Sequence, residues 1–417
     1  MKNKYKMILS ENHTAEFGYK ENANIVLLGS VGTYKTRSHI LPNIINQDDI
    51  SMVIADTKGE LEEKTANILK EKGYVVKSID FNHPEESLNH FNPFSYIRTP
   101  EEILEFSKII VSDLVKSYNQ DPYWDDTATL LINAVASYLV FECRPSERTF
   151  VNLQKLIFAH LIRDDINFKS PLSIIFEDLE KAKPECFAVK QWKAFKVIGG
   201  SVKTLSTIMS VTLSKFSQFL TPAIEELTAY DDINFFDIGK QKTALFVRVS
   251  DVDRSKDKLV SIFYTVLLNK LREEADSQPD KGLPVHTHFF LDDFCTNCVI
   301  PNFDNYISCL RSREISATLV IQNESQLKKI YDISYNTIIS NCIYYLFLGS
   351  SDIHACTEIS KRMNLPLDKV LYKKQDEIFI LKNFNKPIVD KIYDIQTHKD
   401  YDKIKGENYT HIEKREI

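Results

Sequence analysis

Residues 24–44 read NIVLLGSVGTYKTRSHILPNI. An apolar run of strand length, ANIVLLG (23–29), gives way to a segment with Ile40, Leu41 and Ile44 at helical spacing. The junction is rich in small and polar residues and resembles a phosphate loop, whose pattern is a glycine, four residues, then Gly-Lys-Ser/Thr. Gly29, Lys35 and Thr36 fall in place, but Tyr34 stands where the second glycine belongs. Strand before and helix after is the setting that makes such a loop credible, because helix N-terminal amides attract an anion. In this reading Gly29, Ser30, Val31, Gly32, Thr33, Tyr34, Lys35, Thr36 and Arg37 form the nucleotide-binding candidate. Lys35 contacts the β- and γ-phosphates, and Thr36 supplies a hydroxyl to a metal ion. A glycine-containing turn in front of an ordinary helix fits the loop by itself equally well.

The alternation continues on both sides. SMVIADT (51–57) is a second short β-rich run, GELEEKTANILKEKG (59–73) has helical periodicity, and YVVKSIDF (74–81) is a third strand. Strand, helix, strand, helix, strand indicates an α/β fold with a mainly parallel sheet. After NHFNPFSYIRTP (89–100) nearly every segment to about Thr221 reads as helix, and the strand alternation then resumes with TALFVRVSD (243–251). The expected organisation is a nucleotide-binding domain in two parts, 1–98 and 223–398, around an inserted all-α domain at 99–222, with a polar tail at 399–417. EIFILKNFNKPIVDKIYD (377–394) suggests a closing pair of strands.

Composition limits the function classes. A chain of 417 residues with 43% apolar and 26% charged residues buries a sizeable core and favours two domains. A formal net charge of −6 excludes a uniformly basic nucleic-acid binder and confines any such role to a local basic surface. The most apolar candidate span, LLINAVASYLVF (130–141), is shorter than a bilayer requires and carries Asn133 and Ser137. With no signal peptide at the amino terminus, a cytoplasmic chain is expected. Seven scattered cysteines fit a reducing compartment. The pair Cys295 and Cys298 lacks the further ligands of a zinc site and reads as small packed residues rather than a redox motif.

A second chemical element is HTHFFLDDF (286–294), an apolar strand ending in two acids. At such a strand end a nucleotide-hydrolysing fold holds one carboxylate for Mg2+ and another to activate water. Asp292 suits the metal role together with Thr36, and Asp293 the base role, although paired acids there also serve as turn or helix caps.

With those residues in hand, a series of motifs in order carries a family resemblance over almost the whole chain: DTKGEL from Asp56, NPF from Asn92, DPYW from Asp121, GGSVKTLSTI from Gly199, QKTALFVRVSD from Gln241, LPVHTHFFLDDF from Leu283, RSREIS from Arg311, IQNESQL from Ile321 and ISNCIYYLFLGS from Ile339. Together they resemble the type IV secretion coupling proteins of conjugation systems, the TraG/TraD-type ATPases. The resemblance implies a RecA-like P-loop NTPase core interrupted by an all-α domain, using ATP and Mg2+ and assembling as a hexamer. It implies recruitment of a relaxase-DNA complex to the secretion channel and transfer of single- or double-stranded DNA, with channel ATPases as further partners. It also implies that Arg311, or Arg313 beside it, reaches a neighbouring subunit's nucleotide, and that Gln322 senses the γ-phosphate.

Three departures qualify those implications. The family usually begins with membrane-spanning helices, whereas this chain reaches its first strand almost at once. A separate membrane anchor protein and recruitment to the cytoplasmic membrane face are therefore expected. Asp293 replaces the family's glutamate and is shorter by one methylene, which predicts slow hydrolysis. Tyr34 demands a left-handed backbone that costs a non-glycine residue about 1–2 kcal/mol. A non-hydrolysing, ATP-binding adaptor is the alternative these departures favour. A small-molecule kinase with a helical lid shares the loop but leaves the carboxy-terminal motifs unexplained.

Overall fold

The structure is a computed structural model and describes residues 4–113, 122–160, 169–219, 221–250, 252–297 and 299–405. The chain forms two compact units, one of residues 1–81, 234–252 and 267–417, the other of 82–233 and 253–266.

The first unit is built on a nine-stranded sheet. A short hairpin, β1 (Tyr5–Ile8) and β2 (Thr14–Phe17), precedes it. The sheet strands are β3 (Ile25–Gly29), β4 (Ser51–Ala55), β5 (Val75–Asp80), β6 (Thr243–Arg248), β7 (Thr287–Leu291), β8 (Ile315–Ile321), β9 (Tyr344–Gly349), β10 (Glu377–Lys382) and β11 (Ile388–Lys391). Their order across the sheet is β11-β10-β9-β3-β8-β7-β4-β6-β5. From β9 to β5 every pairing is parallel; β10 runs antiparallel to both its neighbours, which returns β11 to the direction of β9. The parallel strands are apolar on both faces, as a sheet covered on both sides requires; β3, β4, β7 and β8 are buried along their whole length. The expected α/β architecture and the closing strand pair are both present.

One placement matters for the site. The chain leaves β3 for β4 on the far side of β8 and β7, so the strands that end in Gln322 and Asp292 slot in beside the phosphate-loop strand. Ligands of open parallel sheets bind outside the carboxyl ends of the strands, where the order reverses. The hairpin is anchored to the helix that follows the loop. Asn43 there is fully buried, with its Oδ1 accepting from Ile8 N at 2.7 Å and its Nδ2 donating to Ile8 O at 2.8 Å.

The second unit is helical, with helices at Pro100–Val111, Pro122–Glu142, Phe150–Phe158, Pro171–Ala182, Phe187–Gly199, Val202–Phe216 and Pro222–Leu227 among the described residues. The first begins at a reciprocal cap, in which Thr99 accepts from Glu102 N and the Glu102 carboxylate accepts from Thr99 N. Phe94, Phe106, Phe150 and Phe219 pack ring to ring in its interior, and Trp192 stacks on Phe176 with centroids 4.5 Å apart. This unit takes in the segments 82–98, 223–233 and 253–266 that the sequence reading assigned to the nucleotide-binding domain. Contacts within the unit show why: Phe91 N donates to Leu227 O at 3.0 Å, His90 N donates to Asp232 at 2.8 Å, and Lys258 Nζ donates to Ile110 O at 2.6 Å. The insertion lies in the crossover from β5 to β6, adjacent strands in register from Val75 opposite Thr243 to Asp80 opposite Arg248. A crossover between parallel neighbours already spans the sheet, so extending it leaves the ladder intact.

Candidate functional site

Gly29 closes β3, and its lack of a side chain is sterically required: a Cβ there would lie 2.3 Å from Thr33 Oγ1. Beyond it the loop folds on itself, with Thr33 Oγ1 donating to Ser30 O at 2.8 Å. Gly32 turns at φ 80° and Tyr34 at φ 62°. Tyr34 therefore adopts the left-handed conformation that the glycine of the pattern would take, and its ring is 44% exposed rather than packed. The next residues, Thr36–Ile40, form a wide turn in which Leu41 N reaches back to Thr36 O. Pro42 follows, and its missing N–H accounts for the break from the ordinary helical ladder.

Three chain-distant segments meet at this loop. Thr36 Oγ1 donates to Asp292 Oδ2 at 2.7 Å, Asp293 N donates to Asp292 Oδ1 at 3.1 Å, and Gln322 Nε2 donates to Asp293 Oδ1 at 3.0 Å. Asp293 itself sits at φ 48°, a second strained residue next to the first acid. Lys35 Nζ donates to Gly29 O at 2.7 Å and Ser30 O at 3.1 Å, so its ammonium lies within the loop's own curl.

The electrostatics follow from burial. Burial pushes the Asp292 carboxyl up to about 6; Asp293 adds to the rise, while the Thr36 hydrogen bond and Lys35 oppose it. Burial lowers the Lys35 ammonium, against the pull of Asp293 and Asp292. A hydroxyl and a carboxylate side by side are hard oxygen donors of the kind Mg2+ takes, with its other positions left for water and phosphate.

The predicted residues do not all converge. Lys35, Thr36, Asp292, Asp293 and Gln322 cluster at the carboxyl ends of β3, β7 and β8. Arg311 precedes β8 and lies at the opposite end of that strand, its Nε donating to Lys20 O at 2.8 Å. It therefore cannot act on the phosphate loop of its own chain. Arg313 is held in place by Asp276, with Nε–Oδ1 at 3.1 Å and Nη2–Oδ2 at 3.2 Å. Cys298 lies outside the described residues, as does Asp121.

Sequence reasoning missed the loop after β9. Gly349 O accepts from Ser30 N at 2.9 Å, and Ser30 Oγ accepts from Ser351 N at 3.3 Å, so this loop braces the phosphate loop. Asp352 then caps the next helix and accepts from Asn323 at 2.6 Å, tying the ends of β8 and β9 together. The signal was present as Gly-Ser-Ser-Asp at a strand end.

A family model described as type IV secretory system conjugative DNA transfer matches residues 2–364. Among curated proteins, VirD4 of Agrobacterium fabrum is 22% identical over 330 residues, covering 75% of this chain and 45% of VirD4. VirD4 of Rhizobium rhizogenes is 21% identical over 330 residues, with the same coverage of 75% and 45%. The chain thus spans about half the length of the curated relatives it matches. Among solved structures, the bacterial conjugative coupling protein TrwBΔN70 in complex with sulphate superposes with a TM-score of 0.65 at 14% identity, over 88% of this chain and 85% of that one. TrwB in complex with ADP and Mg2+ gives 0.64 at 14% identity, over 90% and 86%. These likenesses bear out the expected fold, an α/β RecA-like core with a mainly parallel sheet. No described helix is long and apolar enough to cross a membrane.

Proposed function

Because this chain belongs to the type IV secretory conjugative DNA transfer family, we propose that it is a coupling protein that binds ATP with Mg2+ and uses turnover between subunits to drive DNA into the secretion channel. The observation that carries this reading is the 2.7 Å contact between Thr36 and Asp292, which joins a phosphate loop to a strand-end carboxylate. TrwB, the protein with the similar fold, has been crystallised with ADP and Mg2+ and with a non-hydrolysable ATP analogue.

In this mechanism Lys35 leaves the loop carbonyls and donates to the β- and γ-phosphates, while loop amides line the rest of the anion. Thr36 and Asp292 hold Mg2+, which when bound neutralises charge developing on the transferring phosphoryl group. Asp293 orients the attacking water, and Gln322, bonded to it, reports the γ-phosphate to β8. Arg311 completes the site of the next subunit in a hexameric ring. The helical unit docks the relaxase-DNA complex, channel ATPases are neighbours, and the ring works at the cytoplasmic face of the membrane.

The adaptor reading, binding without turnover, is favoured by two observations: Tyr34 stands at φ 62° in the loop, and the short Asp293 carboxylate is already engaged by Gln322. Two measurements separate the readings. Mg-ATP is expected to raise the melting temperature of the wild type and not of Lys35→Ala, since a ligand bound only by the native state stabilises it; an equal shift in both defeats the nucleotide assignment. Turnover with and without single-stranded DNA then decides between motor and adaptor.

A further inference from the structure

The turn between β10 and β11 presents an exposed aromatic ring on strained backbone between two lysines. Phe384 stands at its tip with a relative exposure of 105% and a φ of 66°. A bulky aromatic in the left-handed region is strained, and glycine or asparagine relieves that strain. The turn is otherwise well fixed: Asn385 N donates to Lys382 O at 3.1 Å, Asn383 N donates to Ile343 O at 3.1 Å, and Asn383 Nδ2 donates to Cys342 O at 3.2 Å. The ring is thus presented outward on a held backbone.

Charge is the turn's second feature. The β10–β11 ladder ends with Ile380 opposite Ile388, and the turn beyond it carries Lys382 and Lys386, two residues to either side of Phe384. Neither lysine has a carboxylate partner among the described residues; Lys382 Nζ lies instead 5.3 Å from the centre of the Tyr344 ring. Cation, exposed ring, cation is the arrangement in which single-stranded nucleic acid is held, because bases stack on an aromatic of any sequence context while lysines take the backbone phosphates.

We propose that the β10–β11 tip, Lys382 with Phe384 and Lys386, is a docking point for single-stranded DNA. The site deepens the DNA-handling part of the proposed function and rests on that part alone. Lys382 pairs with Tyr344, and Tyr344 with Ile25 at the start of β3, so the tip projects beyond the end of the sheet opposite Gly29 and the phosphate loop. DNA captured there contacts the sheet end that carries Arg311 and leaves the nucleotide site open.

Fluorescence anisotropy of a labelled oligothymidylate, without nucleotide and at low salt, tests this. Phe384→Ala is expected to weaken binding about ten-fold, the loss of one stacked base, with Phe384→Trp restoring it. Lys382→Gln combined with Lys386→Gln should lower the dependence of log affinity on log salt by about 1.4, two single-strand phosphate contacts. Phe384→Gly controls for folding, because relief of the strained φ leaves it at least as stable as wild type. Lys35→Ala should bind DNA like wild type, which separates failure of this site from failure of the nucleotide reading. Unchanged anisotropy in the Phe384 and lysine variants overturns the proposal, as does a wild type that binds no oligothymidylate. Phe384-dependent capture by phosphatidylserine vesicles in place of DNA also overturns it and assigns the tip to a lipid surface.

Discussion

The two ends of β8 treat polar groups in opposite ways. At its carboxyl end Gln322, Asp293, Asp292, Thr36 and Lys35 meet, and the lysine finds only the carbonyls of its own loop. At its amino end a closed network runs inward. Lys20 N donates to Glu314, whose carboxylate accepts at 3.2 Å from His286; His286 and His288 both reach Ser316 Oγ at 2.7 Å, His288 reaches Thr318 Oγ1 at 2.9 Å, and Tyr5 OH lies 2.9 Å from His286. Left-handed residues stand at both ends, Tyr34 and Asp293 at one and Lys20 and Glu314 at the other, so strain alone does not separate them. What differs is the polar accounting: charge is crowded around the proposed nucleotide site at the carboxyl end, whereas the amino end satisfies its buried groups internally, with Arg311 exposed at its edge.

Breaking the asymmetry at Arg311 should have the largest effect. A trans-acting arginine contributes orders of magnitude to phosphoryl transfer. Arg311→Ala is expected to keep Mg-ATP binding and lose about a thousand-fold of any DNA-stimulated turnover. Arg313→Ala should lose stability through Asp276 but little turnover. Mixing Arg311→Ala with Lys35→Ala subunits should recover part of the activity at interfaces that combine two intact halves. Turnover by Arg311→Ala at the wild-type rate would remove it from the mechanism.

How much of this contrast was legible in the sequence differs between the ends. The clustering at the carboxyl end was legible, because Lys35 and Thr36 after a strand and Asp292 at another strand's end stand out against apolar runs, and the structure brings them together. The parallel sheet was legible for the same reason. The amino end was not: His286, Thr287 and His288 read as a polar lead into an apolar strand, and only the pairing of β7 with β8 shows that Ser316 lies across from His288. Strands β1 and β2 were missed because each is four residues long, and Tyr5, Met7 and Phe17 become a core face only once the hairpin packs. The helical unit's edges were blurred because 82–98 and 223–233 carry no composition shift; their membership depends on contacts such as Phe91 with Leu227.

The closed network gives the next prediction in size. Burial holds His288 neutral, its proton affinity well below the usual histidine range, with His286 and His39 adding to the effect. Ser316→Ala leaves two imidazole nitrogens without their shared partner in the interior, and a buried polar group left unpaired costs about 1–3 kcal/mol. The expected result is a lower denaturation midpoint with Mg-ATP binding at the native state unchanged. Loss of nucleotide affinity without loss of stability would mean that the two ends are coupled rather than separate.

Asp292 sharpens the comparison through pH. Its folded-state value of about 6 lies above the unfolded value of 3.8, so the native state binds more protons between them. The site's contribution to stability is therefore present below the unfolded value and is lost as pH rises through about 6. Asp292→Asn should raise the melting temperature of the nucleotide-free protein at pH 7 and flatten its pH dependence from 4 to 7. In the wild type the Mg2+-dependent part of ATP stabilisation should fade as pH drops through about 6, because the protonated carboxyl is a poor ligand. In Asp292→Asn that part should be absent at every pH.

The smallest effect is expected at Tyr34, and its sign is the informative part. Tyr34→Gly removes a left-handed strain of about 1–2 kcal/mol and adds the backbone entropy that glycine loses on folding, about 0.5–1 kcal/mol. The two nearly offset, so the melting temperature should rise by at most a few degrees. Nucleotide affinity reads a different quantity. The open space around Gly32 and the exposed Tyr34 ring show no packing in the described chain that requires a tyrosine. If the ring only obstructs approach of phosphate to the loop, Tyr34→Gly should bind ATP more tightly and, in a turning-over enzyme, raise its rate. If affinity falls while stability holds, the tyrosine contacts the nucleotide or the neighbouring subunit directly. Tyr34→Phe then decides whether the ring or the hydroxyl makes that contact, since the variant keeps the strain and the stacking face and loses only the hydrogen bond.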